Sequence, residues 1–438
     1  MRIRSAVLSL FAAFAIEGAG CAHGGSVAPS VGGGAAGVSA PGQMPTAFQL
    51  GGSRGHPSTS MNHVHTWLII GSAGGTSKVT PDQVVQWVDY TMTKQADSLI
   101  AHALGMKTIF YTDPNRVSKN DLMYTKDEST FAHDCNGKRI TVLTKDKFLM
   151  DVHSKHVWSL WPWATTTMMG WGGGGVYDYV FEDTADSVDA LKLSSIPCNF
   201  DQTDWTNNTN TMDNDLGYSI IYNGLSHVPR GTESPAPAFY LNPTAFGGMA
   251  EDCYVGRSPS GYHYSTNWMG MENTEIGMQQ TGKLFVCHGD AYTDAKTSGA
   301  LRTYFYASVL LTYDPNTTIV NTEFLTPSGV TVMPEAQLVP LSPLVATPTT
   351  IDGLIQSSGV YGREYGDCYL AGSDIGPCAV AVNSDKPTNQ TLAFPWPTKY
   401  HHTLKMMGKG AYDGGTVSIA GPAPPANMAG GTAVIVFP

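Results

Sequence analysis

Carboxylates follow short apolar segments at several places along this chain. In VYDYVFEDTADS (176–187) strand-like residues lead into Glu182 and Asp183, and in GGMAEDCY (247–254) an apolar stretch leads to Glu251. Two carboxyl groups can perform acid–base chemistry when one is protonated and donates its proton while the other is ionised and acts as a nucleophile or as a base for water. Such chemistry requires that the fold bring the two groups together.

Strand-like and helix-like segments alternate between about residues 60 and 325. A helix is expected to begin at Thr80, which can cap it, with Pro81 in its first turn, and to end at Gly105. The strands are mostly continuous apolar runs, as expected for parallel strands that are covered on both faces. The predicted strands are 63–71, 107–115, 175–186, 237–242, 247–254, 283–290 and 317–325. This alternation predicts an α/β fold, a (β/α)₈ TIM-type barrel, and the irregular strand count indicates a distorted one.

The pattern changes near Gly359. Short strand candidates separated by Gly, Pro and Asn follow one another to the C-terminus, without a helix pattern between them. This is typical of an antiparallel β-sandwich unit. The expected organisation is a signal peptide (1–21), a flexible linker (22–45), a catalytic barrel (46–350) and a C-terminal β-sandwich (351–438).

The N-terminus has the pattern of an export signal. Arg2 and Arg4 precede an apolar run (6–16) that is too short to span a bilayer, and small residues come before Cys21. Lipidation of Cys21 and simple cleavage nearby both stay open. The following segment is rich in Gly, Ala, Ser and Pro, which is the composition of a flexible tether. We therefore expect a protein that is secreted or anchored to the outer membrane.

Composition narrows the function classes. Charged residues make up 14% of the chain and the formal net charge is −11, so no basic face is available for a nucleic-acid partner. Plentiful Gly, Trp and Tyr favour a carbohydrate-handling protein. Six cysteines remain after Cys21, and an even number in an exported chain predicts disulfides. Cys368 and Cys378 flank a Gly-containing turn and are expected to pair, while the connectivity of the other four stays open. No cofactor and no metal are expected.

The catalytic candidates follow from the barrel, because barrel enzymes carry their reactive groups at the carboxyl ends of the strands. They are Asp183, Glu251 and Glu182, and the chemistry they would serve is hydrolysis of a glycosidic bond with either retention or inversion. Glu251 is expected to donate the proton because the residues that precede it (247–250) are apolar, whereas Asp183 lies among other acids. Acids and aromatic rings at other strand ends are expected to bind a polysaccharide or oligosaccharide. These substrate-binding candidates are Tyr111, Asp113, Trp171, Tyr254, Trp268, Asp290 and Glu323.

Three stretches resemble families of secreted bacterial glycoside hydrolases with a (β/α)₈ barrel and a C-terminal β-sandwich. In YDYVFEDT, Asp178 and Asp183 match a strand that runs from an Asp to a carboxylate, and GGMAEDCY resembles a later strand that leads to a Glu. GVYGREYGDCYLAG and CAVAVN, with Arg363 and Asn383, resemble the C-terminal β unit of these families. The resemblance covers about 176–390 and departs at Glu182, where those families carry an apolar or small residue. It implies a glycan hydrolase and fixes no substrate.

Two other functions stay open. His63 and His65 form an HxH pair at the end of a possible first strand. With Asp290, and His288 two residues before it, they would suit a metal-dependent hydrolase of the amidohydrolase type. Such sites also use His residues on the middle strands, and the predicted middle strands supply none. The second alternative is a non-catalytic surface protein that binds glycans, because aromatic-rich loops serve binding as well as hydrolysis.

Overall fold

The barrel is closed and consists of eight parallel strands. The computed structural model describes residues 60–70, 79–185, 192–225, 245–258, 261–264, 267–289, 299–321, 325–326, 329–330, 333–356, 358–384, 390–407 and 416–438. The strands are β1 (Thr66–Ile69), β2 (Tyr90–Met92), β3 (Lys107–Thr112), β4 (Tyr179–Glu182), β5 (Ile220–Asn223), β6 (Ala245–Ala250), β7 (Leu284–His288) and β8 (Thr318–Asn321). Each strand pairs with the next one along the chain and β1 pairs with β8, which confirms the predicted TIM-type fold.

Helices connect most of these strands. They are α1 (Pro81–Val84), α2 (Gln95–Ala103), α3 (Lys155–Met169), α4 (Gln202–Leu216), α5 (Trp268–Gln280) and α6 (Gly299–Thr312). Short 3-10 helices cover Glu128–Thr130, Trp171–Gly173, Pro334–Gln337 and Ile351–Leu354. At the start of α1 the side chain of Gln83 accepts a hydrogen bond of 3.0 Å from the backbone N–H of Thr80. This is the contact that the third residue of a helix makes in a capping box.

Two barrel strands were missing from the sequence prediction. The single helix expected from 80 to 105 is divided into α1 and α2 by β2, and β5 lies in a stretch to which no element was assigned. Both strands are only three or four residues long, and apolar runs of that length carry almost no periodicity. The predicted strand 237–242 lies outside the described residues.

Side chains alternate between the inside and the outside of the barrel wall. The interior is filled by one cluster of buried side chains, among them Trp67, Tyr179, Phe181, Ile221 and Met249. Apolar residues next to them in β4, β5 and β6, such as Val180, Tyr222 and Ala250, belong to a second cluster that packs between the wall, the helices and the C-terminal sheet. Because the period along a strand is two residues, these assignments also fix where the residues at the strand ends point.

A five-stranded antiparallel sheet follows the barrel. Its strands are β9 (Leu338–Pro343), β10 (Tyr361–Leu370), β11 (Ser373–Asn383), β12 (His402–Thr403) and β13 (Thr432–Phe437), arranged in the order β9-β10-β11-β13-β12. β9 precedes the boundary expected at 351, so the sheet begins earlier in the chain. Tyr306 of α6 donates a hydrogen bond of 2.6 Å to the carbonyl of Leu338, and Arg302 of α6 pairs with Glu335 just before β9. Helix α6 therefore joins the barrel to the sheet.

Five short antiparallel pairs complete the described secondary structure. They are Arg116–Ser118 with Lys147–Leu149, Val255–Ser258 with Gly261–Tyr264, Leu325–Thr326 with Gly329–Val330, Leu392–Ala393 with Asn427–Met428, and Lys405–Met407 with Thr416–Ser418. In the described residues after 360 there is no helix, as the change of pattern predicted.

Three disulfides link the six cysteines that follow Cys21. The expected Cys368–Cys378 bond is confirmed, and the two pairs that the sequence left open are Cys135–Cys198 and Cys253–Cys287. None of the helices in the described ranges has the length and apolar character needed to cross a bilayer.

Candidate active site

Asp183 and Glu251 follow two strands of the barrel wall and have the parity of interior residues. Phe181 and Met249, two positions earlier in β4 and β6, lie in the barrel interior. Since side chains two residues apart on a strand share a face, Asp183 and Glu251 point towards the barrel axis at the carboxyl end. This is the end at which barrel enzymes carry out their chemistry.

The carboxylate of Asp183 is surrounded by hydrogen-bond donors. Tyr111 donates its hydroxyl to Oδ2 at 2.6 Å, and Arg116 approaches the same oxygen through Nη2 at 3.3 Å. Oδ1 accepts from the backbone N–H of Thr184 and from the side-chain amide of Asn223, each at 2.9 Å. An ionised carboxylate is an acceptor only, so this set of donors suits the ionised form.

The side-chain amide of Asn223 joins the two acids. Its Nδ2 lies 2.9 Å from Oδ1 of Asp183 and 2.9 Å from Oε1 of Glu251. Two bonds of this length to a common nitrogen keep the two carboxylate oxygens within about 6 Å of each other. A separation of about 5 to 5.5 Å between carboxyl groups is typical of retaining glycosidases, and inverting enzymes use about 6.5 to 9.5 Å.

Asp113 lies beside this pair, on the other side of Arg116. Arg116 Nε donates to Oδ2 of Asp113 at 2.5 Å, and the hydroxyl of Thr184 contacts the same oxygen at 3.3 Å. Burial raises the pKa of Asp113 to about 7, although the charge of Arg116 works in the opposite direction. Arg116 is thus a cation held between Asp113 and Asp183, with 11% of its side chain exposed.

The residues directly after the two acids have unusual backbone conformations. Thr184 has a φ of 61° and Asp252 a φ of 56°, both in the left-handed region that residues other than glycine rarely adopt. Backbone conformations of this kind concentrate at functional sites, where the surrounding structure maintains them. For Thr184 the result is visible, because the turn directs its N–H towards the carboxylate of Asp183.

Glu182, which the sequence placed among the catalytic candidates, points the opposite way. Its neighbours Phe181 and Asp183 face the interior, so the side chain of Glu182 lies outside the wall, where it is fully buried and accepts a 2.9 Å bond from Asn115. Burial raises the pKa of Glu182 well above its ordinary value, and the charge of Asp213 on α4 raises it further. The structure does not bring Glu182 together with Asp183 and Glu251.

Two aromatic candidates also lie away from the acids. The hydroxyl of Tyr254 donates to Glu275 of α5 at 3.0 Å, and the indole of Trp268 donates to Ser308 of α6 at 2.9 Å. Both side chains are buried, and Trp268 packs against Tyr361 of the C-terminal sheet with ring centroids 4.8 Å apart. These two rings therefore belong to the packing between the barrel and the sheet.

The other substrate-binding candidates are not seen in contact with the two acids. Trp171 lies in the 3-10 helix after α3 and is 46% exposed, and in the described residues no hydrogen bond or ring contact joins it to the acids. Asp290 and Glu323 lie outside the described residues. Of the substrate-binding candidates, Tyr111 and Asp113 are the two that the structure brings to the acid pair.

Two site residues were not among the sequence candidates. Asn223 ends the unpredicted strand β5, and Arg116 begins the short strand 116–118, three residues after Asp113. Neither had a signal in the sequence, because β5 is too short to show a strand pattern and Arg116 follows no predicted strand directly. His288, which the sequence offered only beside Asp290 in the metal alternative, is the last residue of β7 and has the parity of the interior residues Leu284 and Val286, so it faces the same end of the barrel.

The HxH pair lies at the other end of the barrel. His63 and His65 precede β1, and the Nδ1 of His65 is 3.1 Å from a carboxylate oxygen of Asp89, which precedes β2. These residues are therefore at the amino end of the strands, opposite Asp183 and Glu251. Within the ranges that the structure covers, no group of three or more His, Cys, Asp or Glu side chains is arranged to hold a metal ion.

Comparison with known proteins gives structural neighbours only. No protein-family model and no curated protein matches the chain. The glycoside hydrolase domain of PelA from Pseudomonas aeruginosa is 12% identical, with 58% of this chain and 94% of that one covered at a TM-score of 0.37. Ega3 from Aspergillus fumigatus, in complex with galactosamine, is 13% identical, with 61% of this chain and 96% of that one covered at a TM-score of 0.37. The maltogenic α-amylase AmyB from Thermotoga neapolitana is 10% identical, with 85% of this chain and 98% of that one covered at a TM-score of 0.42.

Proposed function

We propose that the protein is a glycoside hydrolase that cleaves a polysaccharide or oligosaccharide with Asp183 and Glu251. The observation that carries the proposal is the hydrogen bonding of both carboxylates to the one amide nitrogen of Asn223, at the carboxyl end of the barrel. Two carboxyl groups about 5 Å apart are what hydrolysis of a glycosidic bond with retention requires of a protein.

The two acids have different roles in this proposal. Asp183, which accepts hydrogen bonds from several donors, attacks the anomeric carbon, while Glu251 gives its proton to the departing glycosidic oxygen. The bond to the leaving group breaks as the bond to Asp183 forms. Glu251 then removes a proton from water, whose oxygen attacks the same carbon and releases Asp183. Configuration is retained because the carbon is inverted twice.

The neighbouring residues support the pair. Tyr111 and Arg116 hold the carboxylate of Asp183, and Asp113 fixes Arg116 from its other side. Glu182, which is buried outside the wall and bonded to Asn115, has no part in the proposed reaction. Trp171, Asp290 and Glu323 remain proposals for substrate contacts, whereas the buried Tyr254 and Trp268 would support the fold rather than touch the substrate.

We also propose that the enzyme works outside the cytosol. Three disulfides support this, because such bonds persist in oxidising compartments. The same proposal includes an export signal at 1–21, a linker at 22–45, a catalytic barrel followed by a β-sandwich, and a lipid anchor at Cys21.

The two alternatives predict different results. A metal-dependent hydrolase would need its ligands near the acids, whereas His63 and His65 lie at the opposite end of the barrel. A protein that only binds glycans would keep its affinity after loss of one acid and would have no turnover to lose. Neither alternative accounts for a pair of carboxylates joined through one amide.

Substitution of the two acids tests the proposal. The purified protein is screened on plant, fungal and bacterial polysaccharides with analysis of the products. On the glycan that is cleaved, Asp183→Asn and Glu251→Gln should each lower kcat by at least about a hundredfold with little change in glycan affinity.

Glu182→Gln provides the matched control, because this neighbouring acid lies outside the barrel wall and should keep kcat within about threefold of the wild type. Wild-type rates in the Asp183 and Glu251 variants would reject the proposed pair. Inverted configuration of the first-formed product would reject the proposed roles while keeping the pair.

A further inference from the structure

Asn223 occupies the strand between those that carry the two acids. β5 lies between β4 and β6 in the barrel, and Asn223 is 6% exposed. Its backbone carbonyl accepts from the N–H of Ala185 at 3.1 Å, so the turn after Asp183 is fastened to β5 as well. Building on the proposed function, we propose that Asn223 is the positioning residue that sets the separation of Asp183 and Glu251.

The orientation of the amide follows from its surroundings. If the carbonyl oxygen of Asn223 occupied the position of Nδ2, it would lie 2.9 Å from Oδ1 of the ionised Asp183, with two acceptors in contact and no proton between them. With the nitrogen there, each of the two N–H groups has one acid to bond. Oδ1 is then the buried atom of the side chain without a hydrogen-bond partner in the described residues.

The geometry of a primary amide explains how one residue can fix a distance. Its two N–H bonds diverge by about 120°, so two acceptors bonded at equal length are held about 5 Å apart, which is the separation that retaining chemistry uses. The same two hydrogens stabilise the ionised Asp183, and once Glu251 has given up its proton they offset part of the repulsion between the two carboxylates, because each bond then has a charged acceptor. Neither effect requires Asn223 to touch the reacting carbon.

Crystal structures and kinetics of three variants test this role. Asn223→Leu keeps the approximate volume and removes both donors, so the nearest oxygens of Asp183 and Glu251 should move apart by about 1 Å and kcat should fall about 10- to 100-fold, with KM within about threefold. Asn223→Asp places a third carboxyl against the pair, so its activity should be largest at a lower pH than that of the wild type, where a protonated Asp donates one bond again.

The control is Asn115→Leu. It removes a hydrogen bond of the same length, which the side-chain amide of Asn115 donates to Glu182 on the outer side of the wall. It should leave the separation of the acids and the pH optimum unchanged, with any loss confined to thermal stability. A merely structural role for Asn223 would give the Asn223 variants the same pattern as this control.

The two proposals fail in different ways. If Asp183→Asn and Glu251→Gln keep wild-type rates, or if no glycan is cleaved, the proposed function fails and the crystal structures still decide the role of Asn223. An oxygen separation in Asn223→Leu within about 0.3 Å of the wild type overturns that role. So does a wild-type pH optimum in Asn223→Asp on a glycan that is cleaved.

Discussion

At the scale of single residues, the donors around Asp183 have separate origins. Tyr111 comes from β3, Asn223 from β5, Arg116 from the short strand 116–118 after β3, and Thr184 from the turn that follows Asp183 itself. Tyr111 makes the shortest of these bonds. Burial raises the pKa of Tyr111 well above its ordinary value, and the charge of Asp183 raises it further, so the hydroxyl remains a donor over the working range of pH.

Tyr111→Phe should therefore change the pH dependence of the reaction. Loss of the donor leaves the ionised form of Asp183, the proposed nucleophile, less stabilised, so the acidic limb of kcat/KM should move to higher pH by about half a unit to one unit. The ring itself stays in place against Phe181, with centroids 6.1 Å apart in the wild type. A pH–rate profile from pH 3 to 9 measures the shift.

Tyr179→Phe is the matched control for this variant. Its ring is fully buried in the same barrel interior, and its hydroxyl has no hydrogen-bond partner in the described residues. The profile of Tyr179→Phe should coincide with that of the wild type. Equal shifts in both variants would assign the effect to loosened packing and not to the bond with Asp183.

At the scale of elements, α5 carries two acids on its buried side. Glu272 accepts from Thr312 of α6 at 2.9 Å, and Glu275 accepts from Thr318 of β8 at 2.8 Å and from Tyr254. Burial raises the pKa of Glu275 to about 7, against the influence of these hydrogen bonds, and burial also raises the pKa of Glu272 well above its ordinary value. The packing of α5 therefore favours the protonated form of these carboxyl groups.

Glu275→Gln should reduce the pH dependence of stability. The folded-state pKa of Glu275 lies above the ordinary value of 4.5, so its stabilising contribution is complete below pH 4.5 and is lost as pH rises through about 7. Since glutamine cannot ionise, the difference in Tm between pH 5 and pH 8 should be smaller in the variant by at least about 2 °C. Thermal unfolding followed by circular dichroism at both pH values provides the measurement.

An exposed acid serves as the comparison. Asp367 lies on the exposed side of β10, and Asp367→Asn should keep the wild-type difference in Tm between the two pH values. If Glu275→Gln retains the full wild-type difference, the alkaline loss of stability does not come from α5.

At the scale of the whole molecule, the three disulfides differ in their exposure. Cys135 and Cys198 are exposed and join residues separated by 63 positions, across the long segment between β3 and α4. The four cysteines of the other two bonds are fully buried. Access to the sulfur controls the rate at which a thiolate attacks a disulfide, so the three bonds should not be reduced together.

Mild reduction of the native protein should open Cys135–Cys198 first. Peptide mapping after alkylation should find label on these two residues while the four buried cysteines stay bonded. Opening this bond should lower the free energy of unfolding by about 2 to 4 kcal/mol, since it frees a long loop in the unfolded chain. Label on Cys253 or Cys287 under the same conditions would show that the barrel opens before its surface bond is reduced.

Local pattern was sufficient for the architecture and for part of the site. Alternating strand and helix segments determined the barrel, and acids at strand ends identified Asp183 and Glu251 as residues of its carboxyl end. The Cys368–Cys378 bond also followed from local spacing. These features depend on residues close together in the chain, which is why a single sequence determines them.

Tertiary structure alone decided which side chains meet. Glu182 and Asp183 are neighbours in the chain, yet one side chain lies outside the barrel wall and the other inside. Which of the two faces inward depends on how β4 pairs with β3 and β5. Asn223 lies 40 positions from Asp183 and 28 from Glu251, on a strand too short to show a period. Contacts over such separations arise only when the barrel closes, so the amide that joins the two acids had no signature in the sequence.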